Sequence, residues 1–514
     1  MIRLLTSRES KEADRLAISR GMPSPVLMER AALSVLHTMQ HRGMPLDRVL
    51  VLAGSGNNGG DGIAVARMLC EKGYTPSVLL TGSPDKYSDG MRHQMELLSW
   101  YQPTFVNSYE AGRYSVVVDA IFGVGLSREI TGPVRDLIDA VNADSSVRVI
   151  AVDIPSGIHA DNGSVCGTAV RAERTVTFAY GKPGLYLAPG AEYAGEVRTA
   201  AIGIPVPDGG AQTGFSQRYL LEQSDLQKLP ARDPFGNKGT CGKLLVIAGS
   251  KEICGAAYLA GRAALVSGAG MVRILTEHAN RIPLAASFPE ALISTYAADT
   301  CDPSAYQTLL TWADGVLIGP GIGTGKDARS LLAWVLRTFD GPLVLDADAL
   351  NLIAADSELK NLLIQAAGSM PGRIVMTPHL VEMSRLTGLS VSEIRSELFE
   401  TAEQYACATG AVCVLKDAKT VIAHPSGVSC LMASGTSALA TAGSGDVLAG
   451  IITALHTAAS DRGTVCAAES GGGAVCAAAL GDLVHGLAGR SAGETYSARA
   501  VTAADVIGQL HCFL

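Results

Sequence analysis

The chain has 514 residues, with 57 glycines, 22 prolines, 47% hydrophobic but only 5% aromatic residues, and 18% charged residues. At about 150 residues per domain, this length excludes a single small module and predicts about two to four domains with cores of Ala, Val, Leu and Ile. A formal charge of −8 without a Lys/Arg cluster excludes a nucleic-acid or anionic-lipid footprint and leaves small molecules as the expected partners.

From the N-terminus, MIRLLTSRESKEADRLAISR is charged throughout and lacks an apolar region, so no secretory signal is expected. The eleven cysteines are odd in number and none forms a C-x-x-C pair. They predict reduced thiols in a cytoplasmic protein rather than a disulfide framework or a zinc site. Short apolar runs, glycine-bearing turns and helical patterns then alternate to the end of the chain, the rhythm of βαβ units on parallel sheets. The expected strands of the first half are Val49 to Ala53, Ser77 to Leu80, Val116 to Ala120, Val147 to Asp153 and Arg174 to Ala179. The Pro-, Gly- and polar-rich stretch Ile204 to Arg218 reads as a linker, so domains 1–217 and 218–514 are expected.

The first strand runs into Gly54-Ser55-Gly56-Asn57-Asn58-Gly59-Gly60-Asp61-Gly62, followed by a helix expected to begin near Ile63. Such a turn presents backbone N–H groups to an anion, and the missing side chains let a phosphate come close. A plain tight turn is the simpler alternative, but it requires neither the paired asparagines nor the aspartate. The run is neither a Walker loop nor a G-x-G-x-x-G. Two further strand ends carry acids: Asp119 precedes Gly123-Val124-Gly125-Leu126-Ser127-Arg128, and Asp153 precedes Ile154-Pro155-Ser156-Gly157. Ligands of open parallel sheets bind beyond the carboxyl ends of strands, although one Asp there serves as readily as a helix cap or turn former.

GSGNNGGDG, DAIFGVGLSR, AVDIPSGI and the later TVTFAYGKPGL together resemble the YjeF N-terminal family, the NAD(P)HX epimerases, from Arg8 to about Ile204. The resemblance implies a Rossmann-like three-layer α/β domain that interconverts the R and S hydrates of NADH and NADPH and binds K+. On that resemblance Asn58, Asp119 and Ser156 match the potassium ligands, an all-oxygen set suited to a hard cation. Asn57, Asn58, Gly59, Gly60, Asp61, Gly123, Val124, Gly125, Leu126, Ser127, Arg128, Glu129 and Asp153 match the substrate contacts. Asp153 is the candidate catalytic carboxylate, placed to move protons as the hydrate opens and recloses. Ala32 stands where the family usually has glycine.

In the second half the expected strands are Lys243 to Ala248, Met271 to Leu275, Gly315 to Ile318, Leu343 to Asp346, Arg373 to Thr377, Val412 to Lys416 and Thr420 to Ala423. Asn237 to Val272 reads as loop, strand, turn and an Ala-rich helix whose small side chains allow close packing on the sheet. Gly319 to Gly325, Asp346-Ala347-Asp348 and Thr377-Pro378-His379 each place polar or flexible groups at a strand end, and His379 alone would more often be structural. Residues 421–445 carry no formal charge, but Ser, Gly, Thr and Pro interrupt them and they fail as a membrane span. They run into Gly443-Ser444-Gly445-Asp446, small residues and an acid opening a helix. The backbone N–H groups there make an anion hole, and the adjacent Asp can take a proton from a hydroxyl attacking a terminal phosphate. A first-turn Asp serving the helix dipole is the structural alternative. Gly471-Gly472-Gly473 reads as a flexible loop.

The Gly-Ser-Gly-Asp arrangement, KGTCGKLLVIAGS, DADALNLI and TPHLVEMSRL resemble the YjeF C-terminal family, the ribokinase-like ADP- or ATP-dependent NAD(P)HX dehydratases, from about Leu221 onward. The resemblance implies a second three-layer α/β domain, transient phosphorylation of the hydrate, Mg2+ with the nucleotide, and a homo-oligomer. On it Asp446 is the base, and Gly443, Ser444 and Gly445 hold the phosphoryl group. Lys416, Asp417, Ala418, Lys419 and Thr420, with Gly445, contact the nucleotide, and Ala256, Gly323 and His379 contact the hydrate together with Asp446. Leu380, Val381 and Asp417 depart from the family's usual Pro, Gly and Gly. A carboxylate at 417 would repel a phosphate unless a cation intervenes or the side chain turns away. The whole reads as a bifunctional repair enzyme acting on NADHX and NADPHX. A ribokinase-type small-molecule kinase fused to a nucleotide-binding regulatory domain, and a catalytically silent nucleotide sensor, are the alternatives.

Overall fold

The computed structural model describes residues 1–205, 214–298, 301–460 and 477–514. The chain divides into two compact units, Ile2–Phe215 and Ser216–Leu514, the latter including Met1. Residues 206–213 of the stretch read as a linker, and Gly471-Gly472-Gly473, lie outside the described residues, whereas Gln217 and Arg218 open a strand.

The first unit carries a seven-stranded, wholly parallel sheet. Its strands are β1 (Val49–Ala53), β2 (Ser77–Leu80), β3 (Thr104–Val106), β4 (Val116–Ala120), β5 (Arg148–Val152), β6 (Arg174–Phe178) and β7 (Glu196–Ala200), in the order β3-β2-β1-β4-β5-β6-β7. The chain fills one side of β1 first and the other from β4 onward, so the topological switch falls between β1 and β4, where such sheets bind ligands. Both strands are buried along their whole length, which explains why every residue in them but Asp119 of β4 is apolar. The unit also contains helices α1 (Ser7–Ser19), α2 (Ser24–His41) and α3 (Asn57–Glu71).

One expectation is corrected here: α3 begins at Asn57 rather than near Ile63, so Asn-Asn-Gly-Gly-Asp is helix and not loop. Its glycines serve close approach, not an unusual backbone angle, since neither Gly59 nor Gly62 has a positive φ. A Cβ on Gly59 would lie 2.0 Å from the Gly54 carbonyl oxygen, and one on Gly62 2.5 Å from Ala120 Cβ. Glycine therefore lets the first turns of α3 sit directly on the ends of β1 and β4.

In the second unit the strands are β8 (Gln217–Leu221), β9 (Lys243–Ile247), β10 (Met271–Glu277), β11 (Leu292–Tyr296), β12 (Gly315–Ile318), β13 (Leu343–Leu345), β14 (Ile374–Met376), β15 (Val412–Leu415), β16 (Thr420–Ala423) and β17 (Val428–Met432). They lie in the order β8-β17-β16-β15-β14-β13-β12-β9-β10-β11, parallel except where β16 runs against β15 and β17. The Ala-rich helix α4 (Gly255–Val266) buries Ala257, Ala260 and Ala264 in one core with Leu244 and Val246 of β9. Helices α5 (Asp348–Ala355), α6 (Leu380–Thr387), α7 (Ser444–Ser460) and α8 (Ala477–Tyr496) follow. A Cβ on Gly450 of α7 would come 2.2 Å from the Ala260 carbonyl oxygen, so α7 crosses α4 in close contact.

The strands expected from sequence are all present, with ends displaced by at most two residues. The edge strands β3, β7 and β11, and β8 and β17, were not expected. Glu196–Ala200 mixes charged and half-exposed positions, and Val428–Met432 hides inside the uncharged stretch. No helix among the described residues is long and apolar enough to cross a membrane.

Candidate functional site

The switch point of the first unit opens into a cavity of about 550 Å3, within the usual range for small-ligand sites of about 300–1,000 Å3. Asn57, Asn58 and Asp61 of α3 line it, with Gly123, Val124, Gly125, Leu126, Ser127 and Arg128 after β4, and Asp153 after β5. Gly59, Gly60 and Glu129 are not among the lining residues. Gly59 and Gly60 are buried by packing, and Glu129 is exposed.

Asp153 stands at φ +65°, an angle that non-glycine residues adopt only when their surroundings impose it and that clusters at functional sites. Its Oδ1 accepts from Lys182 Nζ at 2.6 Å and from Thr177 Oγ1 and the Phe178 N–H, each at 3.1 Å. Lys182, only 3% exposed, also donates to Thr177 Oγ1 at 2.9 Å and to the Phe178 carbonyl at 3.0 Å, so all three ammonium protons are used. One carboxylate oxygen of Asp153 is thus pinned by three donors.

Two more acids share the cavity. Burial pushes the Asp14 carboxyl of α1 up to about 6, a rise opposed by Lys182 and assisted by the charge of Asp153. Asp61 is held well above the usual carboxylate range, first by burial and then by Asp153 and Asp14. An anchored carboxylate sharing a cavity with a proton-holding carboxyl, Asp61, is the arrangement by which one site supplies both a base and an acid.

Behind the cavity, Asp119 and Ser156 are fully buried. Asp119 accepts from Ser156 Oγ at 2.6 Å, the Ser156 N–H at 2.7 Å and the Ile121 N–H at 3.3 Å. Ser156 Oγ also accepts from the Phe122 N–H at 2.9 Å. Asn58 packs against Gly123, where a Cβ would meet Asn58 Oδ1 at 3.4 Å, and its amide nitrogen is buried without a hydrogen-bond partner. The three residues matched to potassium ligands therefore offer a carboxylate, a hydroxyl and an amide oxygen. That all-oxygen set fits a hard cation.

In the second unit β13, β14 and β15 end side by side. Lys416, following β15, donates from Nζ to Asp346 Oδ1 at 3.1 Å, and Thr377 Oγ1 donates to the same oxygen at 2.6 Å. Burial works against the Lys416 charge, but Asp346, Glu382 and Asp446 outweigh it and hold the ammonium more firmly protonated than usual. Ala347, between Asp346 and Asp348, has φ +50°, and the Asp348 carboxylate accepts from the Gly323 N–H at 2.8 Å. Ala256 touches the same loop, where a Cβ on Gly321 would lie 3.2 Å from Ala256 Cβ.

Gly443 has φ +87°, and a Cβ there would lie 2.3 Å from Leu259 Cδ1, so only glycine fits this entry to α7. The helix start leaves N–H groups without intrahelical acceptors. A Cβ on Gly445 would be 3.6 Å from Lys416 Nζ, which places the ammonium over that turn. Asp446 is pushed up to about 7 by burial and by Asp346 and Asp348, against the pull of Lys416. Fixed N–H groups, a buried ammonium and an acid that titrates near neutrality suit transfer of a phosphoryl group.

The other residues matched to nucleotide contacts have partners of their own. Lys419 donates to the Ala433 carbonyl at 2.6 Å, and Arg395 Nε donates to Asp417 at 3.2 Å. A cation thus does accompany the unusual carboxylate at 417. His379 caps α6, its Nδ1 accepting from the Val381 and Glu382 N–H groups at 3.1 Å each, while Leu380 is buried and Val381 exposed. Its structural role is therefore real, although it also stands beside Glu382, which burial pushes up to about 7.

The sequence reading did not single out Lys182, Asp14 or Glu382 as functional, and it passed over Asp346 as one strand-end acid among several. Lys182 could have been found as a lysine between glycine and proline just past a strand end. Asp14 carries no local signal: it is an exposed position of α1 next to the buried Ala13.

Comparison with known proteins adds two family matches: residues 24–184 match the model for the YjeF-related protein N-terminus, and residues 244–511 that for NAD(P)H-hydrate dehydratase. The chain is 36% identical to the bifunctional NAD(P)H-hydrate repair enzyme Nnr of Moorella thermoacetica, over 98% of this chain and 95% of that one. It is also 36% identical to the Nnr of Thermofilum pendens, over 98% and 94%. Among solved structures, an ADP/ATP-dependent NAD(P)H-hydrate dehydratase from Bacillus subtilis, co-crystallized with ATP/Mg2+, is 28% identical and aligns with 57% of this chain and 97% of that chain at a TM-score of 0.47.

Proposed function

Because this chain belongs to the family of bifunctional NAD(P)H-hydrate repair enzymes, we propose that its two units divide one repair between them. The protein is an enzyme of nicotinamide-nucleotide repair with an epimerase and an ADP/ATP-dependent dehydratase domain. In the proposed division, residues 1–217 interconvert the R and S hydrates and residues 218–514 return the S hydrate to NADH or NADPH. The observation that carries it is that each unit holds its own acid at its own strand-end site, Asp153 in one and Asp446 in the other.

In the first unit Asp153, its Oδ1 fixed by Lys182, presents its other oxygen to the hydrate hydroxyl and takes the proton as the hydrate opens. Asp61, kept protonated by burial, returns a proton as it recloses on the other face, so no net proton is consumed. K+ held by Asn58, Asp119 and Ser156 would supply a fixed positive charge that favours the ionised form of Asp119.

In the second unit the substrate pair is the S hydrate and the magnesium complex of ADP or ATP. Asp446 accepts the hydroxyl proton as that oxygen bonds to the terminal phosphorus and the bond to the leaving nucleotide breaks. Lys416 and the N–H groups after Gly443 bear the charge on the phosphoryl oxygens. Loss of phosphate from the ester, with a proton from the neighbouring carbon, restores the ring double bond. We place the enzyme in the cytoplasm as a homo-oligomer.

The test is Asp446→Asn in the full chain, assayed with mixed hydrates and either nucleotide. NADH recovery should vanish while R/S exchange persists. Loss of both activities with the fold intact contradicts the division, and a stable phosphorylated product from the wild type supports a kinase instead.

A further inference from the structure

Helix α8 contributes no residue to any motif, yet it carries two polar side chains deep in the second unit. Asp482 is 1% and His485 5% exposed. Three residues apart, they share one helix face. His485 Nε2 lies 3.1 Å from the Oγ of Ser444, a residue 7% exposed. Asp482 lies beside Thr420, 4% exposed, whose side chain favours its ionised form against the effect of burial, and its Oδ2 is buried without a hydrogen-bond partner. One face of α8 therefore reaches both the phosphate-binding turn that opens α7 and the end of the stretch Lys416 to Thr420.

The register of α8 is fixed by close packing. A Cβ on Gly481 would lie 2.9 Å from Ile452 Cγ1 of α7, and one on Gly489 2.4 Å from Leu439 Cδ2. Glycine inside a helix is unfavourable by about 1 kcal/mol relative to alanine, so its presence here reflects the close approach. Burial pushes His485 down to about 4, so the ring is a neutral partner for Ser444.

We propose that His485 and Asp482 are positioning residues for phosphoryl transfer: one turn of α8 fixes the Ser444 hydroxyl in the anion hole and the Thr420 hydroxyl in the nucleotide-contact stretch. Neither touches substrate. They act by holding the N–H groups after Gly443 and the ammonium of Lys416 in one geometry, which favours the transition state more than the bound nucleotide. The proposal rests on the dehydratase reading of the second unit.

The experiment is a double-mutant cycle in the full-length protein with His485→Ala, Ser444→Ala and the pair, assayed for NADH recovery from the S hydrate with the magnesium complex of ATP or ADP. His485→Ala should lower kcat about 10- to 100-fold, the loss of a buried hydrogen-bond partner, with KM for the nucleotide changed less than threefold and R/S exchange unchanged. In the Ser444→Ala background the same change should have little further effect. His485→Gln, whose amide nitrogen reaches the place of Nε2, should recover at least part of kcat, and Asp482→Asn should act in the same sense through Thr420. An equal loss from His485→Ala with and without the Ser444 hydroxyl overturns the proposal, as does a loss confined to KM or no recovery in a folded His485→Gln. A wild-type protein that restores no NADH overturns the dehydratase reading, whereas active wild type with unaffected variants overturns the positioning role alone.

Discussion

Lys182→Met tests the epimerase site with little change in side-chain volume. The wild-type ammonium is buried and directs its bonds to Asp153, Thr177 and the Phe178 carbonyl. The substitution leaves Asp153 with two donors instead of three and no countercharge. Hydrogen bonds to charged groups contribute about 1.5–3 kcal/mol, and each 1.36 kcal/mol is tenfold in rate, so R/S exchange should fall about 10- to 150-fold. Breaking a buried ion pair by removing one partner destabilises by about 3–5 kcal/mol. At about 2–4 °C per kcal/mol for a unit of this size, Tm should fall by about 6–20 °C. Exchange is followed by chromatographic separation of the epimers below the new Tm, and NADH recovery from pure S hydrate in the same preparation should match wild type. Lys182→Arg keeps the charge and should retain more exchange than Lys182→Met. Wild-type exchange in folded Lys182→Met would refute the role given to the pinned oxygen of Asp153.

Asp446 must be ionised to accept a proton and is held up to about 7 by burial and neighbouring acids. Dehydration should therefore rise with pH through about 7 and level off above it, in kcat/KM measured across pH 5.5–9. Asp119→Ala should impair exchange and abolish its response to potassium, measured as rate against K+ concentration. Gly443→Ala places a methyl 2.3 Å from Leu259 Cδ1 at φ +87°. It should lower NADH recovery at least about tenfold by displacing the N–H groups of the turn. Arg395→Ala removes the partner of Asp417, so KM for the nucleotide should rise several-fold, and adding Asp417→Gly should reverse the rise.

Strands buried on both faces were legible because packing demands a mostly apolar run: Val49–Ala53 and Val116–Ala120, the latter broken only by Asp119, end where they were expected to end. Edge strands were not, because Glu196–Ala200 alternates with charge and Thr104–Val106 is too short and exposed to carry a pattern. The glycines of Gly54 to Gly62 announced a site but not its geometry. A helix beginning at Asn57 needs tertiary contacts at Gly54, Ala120 and Ile121 to justify it, and no local rule contains them. Asn57, Asp61, Asp153, Lys416 and Asp446 lie at strand ends or in motifs and were readable. Asp14, Lys182, Asp482 and His485 owe their significance to partners distant in sequence, as with Ser444 and His485, 41 positions apart. The meaning of Asp417 likewise depended on Arg395, which sequence alone does not bring to it.

The central claim, two sites completing one repair, is tested most directly by the end point of NADH regeneration from an equal mixture of R and S hydrates with ATP or ADP and Mg2+. Wild-type protein should convert the whole mixture, whereas Asp153→Asn should stop after the S half apart from uncatalysed exchange. Full conversion by Asp153→Asn at the wild-type rate, or no NADH from wild type with either nucleotide, would contradict the account.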